Sequence, residues 1–179
     1  MTVLILFESV EGQTRKIARF AEKEIRKAGQ DVVLVDAADR TAPVSFEGVD
    51  KVILAASVHE RRHPKAFEVF LAASRNELEA LRTLLISVSL SAAFPDGLED
   101  AQDYLTELKM RTRFTPDFEA LVAGAVRTSR YDYFATQVVR HVVLRGRDYD
   151  PGDGEHEFTD WNALAKTLSA FLATDASSS

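Results

Sequence analysis

Val3-Leu4-Ile5-Leu6-Phe7-Glu8-Ser9-Val10-Glu11-Gly12-Gln13-Thr14 lies near the start of the chain and decides its fold. The run Val3 to Phe7 shows no polar alternation, which fits a strand buried on both faces of a helix-covered parallel sheet. Beyond it, Ile17, Phe20, Ala21, Ile25 and Ala28 recur at helical spacing. Arg19, Glu22, Lys23, Arg26 and Lys27 fill the opposite side, and Gly29 stops the helix. The loop Glu8 to Thr14 therefore joins the C-terminal end of a buried strand to a helix N-terminus. Backbone N–H groups and the helix dipole collect an anion at such a junction.

The loop chemistry narrows the anion. A triphosphate-binding loop needs a Gly-Lys-Ser/Thr ending, and a dinucleotide fingerprint needs three spaced glycines. This loop has one glycine, Gly12, and no lysine, but it carries the hydroxyls of Ser9 and Thr14. That set suits a single phosphomonoester. The plainer alternative is that Ser9 and Thr14 only cap the helix.

Composition bounds the rest. The chain has 179 residues, enough for a sizeable core in a single domain over residues 1–175. A formal net charge of −6 argues against nucleic acid as the main partner. With no cysteine, disulfides, thiol catalysis and cysteine-held metals are excluded. No apolar stretch reaches the about 18 residues that span a bilayer. The N-terminus enters a core strand at once, so a cytoplasmic protein is expected. Residues 176–179, Ala176-Ser177-Ser178-Ser179, read as a disordered tail.

Further strands are expected at Asp31 to Asp36, Lys51 to Ala56, Leu84 to Val88 and Phe118 to Val126, and helices at Lys65 to Asn76 and Leu98 to Met110. The segment Ala37 to Gly48, with Pro43 and Gly48, reads as a loop or a weak short helix. This rhythm is that of a doubly wound α/β sheet, whose ligands sit beyond the carboxyl ends of the strands. The loop Ser57-Val58-His59-Glu60-Arg61-Arg62-His63-Pro64 follows the third strand. His59 and His63 have helical i, i+4 spacing, but Pro64 favours extended geometry at His63 and no third ligand follows, so no metal is expected. A final helix begins at Thr159-Asp160-Trp161, with Thr159 as the expected cap and Leu164, Leu168, Phe171 and Leu172 as its buried side.

Ser9-x-x-Gly12-x-Thr14 resembles the FMN-phosphate loop of flavodoxins. Gly12-Gln13-Thr14-Arg15 narrows the likeness to the flavodoxin-like, menaquinone-dependent protoporphyrinogen IX dehydrogenases of bacteria. Ala123-Gly124-Ala125 before Arg127 and the Thr159-Asp160-Trp161 entry are similar to the same family. The resemblance implies a five-stranded parallel sheet in the order 2-1-3-4-5, with helices on both faces and a helical insertion after the fifth strand. It implies FMN as cofactor, with Ser9, Val10, Glu11, Gly12, Gln13 and Thr14 around the phosphate. Ser57, Val58 and His59, together with Ser89, Leu90, Ser91 and Ala92, would frame the ring, with Arg61, Arg62 and His63 at its edge. Glu60-Arg61 departs from the family pattern, in which an aromatic or small residue and then glycine is common.

The insertion, residues 128–158, is the chain's most individual feature. Tyr131 to Gly146 reads as an amphipathic helix surrounded by arginines. Arg127, Arg130, Arg140 and Arg145 are candidates for contact with substrate or with an anionic membrane on the cytoplasmic face of the inner membrane. A solvated lid is the plainer reading, and self-association through this helix is a further one. The resemblance implies an enzyme that oxidises protoporphyrinogen IX to protoporphyrin IX and passes electrons to a quinone. The alternatives are a flavodoxin-type electron carrier and a flavodoxin-like domain that has lost flavin. No side chain is singled out as a general acid or base, so the catalytic residues stay unassigned.

Overall fold

In the computed structural model, which describes residues 1–41, 43–126 and 156–175, the opening apolar run is an interior strand. β1 (Thr2–Glu8) lies between β2 (Asp31–Asp36) and β3 (Lys51–Ser57), parallel to both. β4 (Arg82–Ser89) and β5 (Phe118–Ala123) complete a five-stranded parallel sheet in the order β2-β1-β3-β4-β5. The order reverses at β1, because the chain leaves it toward β2 and later returns on its other side as β3. A crevice therefore opens where the loops after β1 and β3 diverge.

Both faces of β1 are buried because successive side chains alternate between two cores. Val3, Ile5 and Phe7 join Ile53, Ala55, Leu84 and Ile86 under α1 (Gln13–Lys27) and α5 (Trp161–Leu172). Ile17, Ala21 and Ile25 of α1 and Leu164, Leu168 and Phe171 of α5 cover that side. Leu4 and Leu6 face the other way, with Val52, Leu54 and Leu85. There they meet α2 (Lys65–Ala73), α3 (Arg75–Glu79) and α4 (Leu98–Thr112), through Phe67, Leu71, Leu78, Leu105 and Leu108. Each fully buried Leu, Ile or Phe contributes roughly 1.5–3 kcal/mol of transfer free energy, so the two layers supply the main drive for folding.

Several elements differ from their expected form. The helix expected over Lys65 to Asn76 ends at Ala73, and a short helix restarts at Arg75 after Ser74. Among the described residues no helix forms between β2 and β3. Instead Val44, Phe46 and Val49 pack on the second core, and Phe46 stacks on Phe70 with ring centroids 6.4 Å apart. The fifth strand ends at Ala123, three residues before its expected end at Val126. Ala125–Val126 (β6) turns away to pair antiparallel with His156–Glu157 (β7). Asp160 caps α5 in place of Thr159, its Oδ1 accepting from the Ala163 N–H at 2.9 Å. The helix expected at Tyr131 to Gly146 and the 176–179 tail lie outside the described residues, as does most of the 128–158 insertion. Among the described residues no helix is long and apolar enough to cross a membrane.

Candidate functional site

The loop after β1 is organised by its own hydroxyl and its glycine. Ser9 Oγ accepts from the Gly12 N–H at 2.9 Å, closing a tight turn. Gly12, at φ 98°, is the residue before α1, a left-handed conformation that a side chain would oppose. No side chain caps α1. The first-turn N–H groups of a helix lack intrahelical acceptors, so this end presents donors and a partial positive charge. Thr14 does not act as the cap that its position suggests. It is fully buried, and its Oγ1 has no hydrogen-bond partner among the described residues. A buried hydroxyl without a partner costs about 1–3 kcal/mol, so a ligand that engages it recovers that energy.

Glu8 and Glu11 border this loop. By strand alternation Glu8 shares the face of Leu4 and Leu6, away from α1. Burial lifts the Glu8 carboxyl above its ordinary value, opposed by a hydrogen bond from the Phe67 backbone. Glu11 Oε1 lies 3.7 Å from His59 Nδ1 across the crevice. The loops after β1 and β3 are also joined through the Val10 N–H, which donates to Ser57 Oγ at 3.4 Å. The Val58 N–H donates to the Val88 carbonyl at 2.7 Å, carrying the β3–β4 pairing one step past the strand end.

His59-Glu60-Arg61-Arg62 is a two-residue turn closed by reciprocal bonds between His59 and Arg62 (N to O, 2.9 and 3.1 Å). Glu60 and Arg61 both have positive φ, 48° and 65°. Such turns favour Asn-Gly, so Arg61 stands where glycine is the usual occupant. The Arg61 guanidinium is held 5.4 Å above the Tyr104 ring, and Arg62 binds Glu68 through two bonds of 3.0 and 2.7 Å. Arg61→Gly is expected to be about 1 kcal/mol more stable than Arg61→Ala, against the usual order, because only glycine relaxes at this φ. Paired urea unfolding curves measure the difference, and an alanine protein of equal or greater stability would contradict it.

His63, expected at the ring edge, lies instead in the interior. It is 2% exposed, and its Nε2 lies 2.9 Å from Ser87 Oγ beneath the β3 loop. Burial lowers its pKa to about 4, partly opposed by Glu68, so the imidazole is neutral in the folded protein. The unfolded chain binds a proton from about pH 6.5 downward. Stability is therefore full above pH 6.5 and falls by about 1.4 kcal/mol per unit as pH drops toward 4. Urea midpoints across that window should show the fall, and His63→Leu should flatten it. A parent midpoint that stays level from pH 6.5 to 4.5 would exclude this role.

Ser89, Leu90, Ser91 and Ala92 lie where β4 ends beside the crevice. Ser89 Oγ accepts from the Ala92 N–H at 3.2 Å, and Ser91–Ala93 and Pro95–Gly97 form two 3₁₀ turns. Gly97 is required there, because a Cβ would lie 2.3 Å from the Ser91 carbonyl oxygen. Of the residues expected around the phosphate, Gln13 points its side chain toward Glu157 (2.9 Å) and Thr159 (2.9 Å). In the sequence Thr159 reads only as a helix cap, and Glu157 is not singled out. Arg127, Arg130, Arg140 and Arg145 lie outside the described residues. Among the described residues no group of three or more His, Asp or Glu gathers as a metal site.

The family model of the flavodoxin domain matches residues 4–151. The chain belongs to the flavodoxin domain family. It is similar to the protoporphyrinogen IX dehydrogenase [quinone] of Escherichia coli K12, 27% identical over 92% of this chain and 91% of that protein. The similarly named protein of Leishmania major is 25% identical over 95% of this chain and 74% of its own length. In three dimensions the chain is similar to oxidised flavodoxin 1 of Bacillus cereus, with TM-score 0.55 and 15% identity, covering 96% of this chain and 97% of that one. A flavodoxin of Pseudomonas aeruginosa gives TM-score 0.53 at 18% identity, covering 97% and 100%. The flavodoxin domain points to FMN as the cofactor. The residues present fit it: the unpartnered Thr14 hydroxyl, the left-handed Gly12 and the open α1 N-terminus form one cradle suited to a phosphomonoester.

Proposed function

We propose that this flavodoxin-domain protein is an FMN-dependent dehydrogenase that oxidises protoporphyrinogen IX to protoporphyrin IX with a quinone as acceptor. The observation that carries the reading is similarity to relatives of that name along nearly the whole chain, rather than over the flavodoxin motif alone. Bound FMN supplies the transfer of electron pairs from substrate to quinone, three times per porphyrin formed. The chain's own residues bind and orient. The Thr14 hydroxyl and the first-turn N–H groups of α1 hold the phosphate. Ser57, Val58 and His59 on one side, and Ser89, Leu90, Ser91 and Ala92 on the other, frame the ring. Arg127, Arg130, Arg140 and Arg145 would meet substrate carboxylates or anionic lipid, since guanidinium groups bind carboxylates in bidentate fashion.

An anaerobic assay of the FMN-loaded protein with protoporphyrinogen IX and a menaquinone analogue tests this reading. Porphyrin fluorescence that requires both FMN and quinone is the expected result. Bound FMN without porphyrin formation would replace the dehydrogenase by an electron carrier. Failure to bind FMN would remove both.

A further inference from the structure

Behind the phosphate-binding turn, the carboxylate of Glu157 accepts three hydrogen bonds from two helices. Its Oε1 takes Gln13 Nε2 at 2.9 Å and Lys16 Nζ at 2.5 Å, both from the start of α1. Its Oε2 takes the indole N–H of Trp161, the first residue of α5, at 3.1 Å. Trp161 in turn packs on Phe20 of α1, with ring centroids 4.9 Å apart. Burial alone would raise the Glu157 carboxyl, yet the bonds from Lys16, Gln13 and Trp161 hold it below its ordinary value.

The direction of these bonds fixes Gln13. A carboxylate only accepts, so it obliges the Gln13 amide to present its NH₂ rather than its oxygen. The same NH₂ donates to Thr159 Oγ1 at 2.9 Å, and Thr159 donates its own proton to the Ala123 carbonyl at 2.6 Å. Ala123 ends β5 and pairs in register with Ser89, the first residue of the candidate ring-side loop. A directed chain therefore runs from the ring side of the crevice, through Thr159 and Gln13, to the residue preceding Thr14. Gln13 and Thr159 are 5% and 8% exposed, so water competes poorly for these bonds.

We propose that Glu157 is a positioning residue for the cofactor phosphate: by holding Gln13 it fixes the first turn of α1, and so the place of the Thr14 hydroxyl. This inference rests on the reading of the Thr14 loop as the FMN-phosphate site. It assigns a task to β7, at the end of the 128–158 insertion. A carboxylate 144 residues from Gln13 sets the geometry of a loop it does not itself line.

The test compares FMN with riboflavin, which lacks the phosphate, by flavin-fluorescence titration of the full chain. Glu157→Ala and Thr159→Val are each expected to weaken FMN binding about tenfold, the effect of one misplaced hydrogen bond, while riboflavin affinity stays within about twofold. Unchanged FMN affinity overturns the proposal. So does an equal loss for both flavins, which is what general loosening of the fold would produce. Should Glu157→Ala not fold, Thr159→Val and the milder Glu157→Gln carry the test. Thr14→Val in the same titration separates the two claims. If it binds FMN like the parent, the phosphate-site reading fails. If it loses FMN while Glu157→Ala does not, only the positioning role fails.

Discussion

Thr14→Val is expected to weaken FMN binding by about 10- to 100-fold while making the protein without cofactor about 1 kcal/mol more stable. The two effects share one cause. Thr14 Oγ1 is fully buried and has no hydrogen-bond partner, so the free protein bears the cost of a dry hydroxyl. Valine is nearly the same shape and removes that cost, and the two residues have similar helix propensities. The phosphate loses a donor in a site shielded from water, where a hydrogen bond to a charged group contributes about 1.5–3 kcal/mol. Flavin titration measures the first effect and urea unfolding of cofactor-free protein the second. A variant that loses both affinity and stability would mean that Thr14 is a packing residue, and unchanged FMN affinity would remove it from the site.

Lys51→Met is expected to cost about 2–4 kcal/mol of stability, leaving FMN affinity of the folded protein unchanged. Lys51 begins β3 and is fully buried. Its Nζ donates to the Phe171 carbonyl at 3.0 Å, the Leu172 carbonyl at 2.8 Å, the Thr174 carbonyl, and Thr174 Oγ1 at 3.2 Å. These oxygens gather at the C-terminal end of α5, where the helix dipole favours a cation. Burial, and then the nearby Arg82 charge, lowers the lysine below its ordinary pKa, partly opposed by Asp175 and Asp50. Methionine fills the stem but leaves carbonyl oxygens facing a dry interior. For a chain of this length the loss corresponds to a fall in melting temperature of roughly 5–15 °C. The site is spared because β3 sets about 20 Å between its first residue and the loop after Ser57. A melting temperature within a degree of the parent, or a parallel loss of FMN affinity, would count against this account.

The determinants of the fold that lie close together in sequence could be read there. Unbroken apolar runs at Val3–Phe7 and Val52–Ala55 identify buried parallel strands because the side-chain period of a strand leaves no polar face. The α1 spacing and the single glycine at Gly12 place a helix N-terminus at the end of β1. Together they place the crevice at the carboxyl end of β1. Deviations with local causes were partly legible: Glu60-Arg61 stood out as unusual, and the positive φ of both residues shows why.

Tertiary structure decided what depends on contacts between distant residues. Lys51 reads as an ordinary polar strand start until α5 brings its carbonyls against it, more than a hundred residues later. His63 sits in a charged, hydrophilic stretch, and only the folded chain buries it against Ser87 of β4. Thr159 and Asp160 are both competent caps. Asp160 takes that place because Thr159 is drawn inward by Gln13 and Ala123. Glu157 carries no local signature at all, since a lone glutamate between His156 and Phe158 resembles any surface acid. Periodicity reports which face of an element is apolar, and so it fixes layers and loop ends. A hydrogen bond across the fold depends on where two separately determined surfaces meet, and only the assembled sheet and helices specify that.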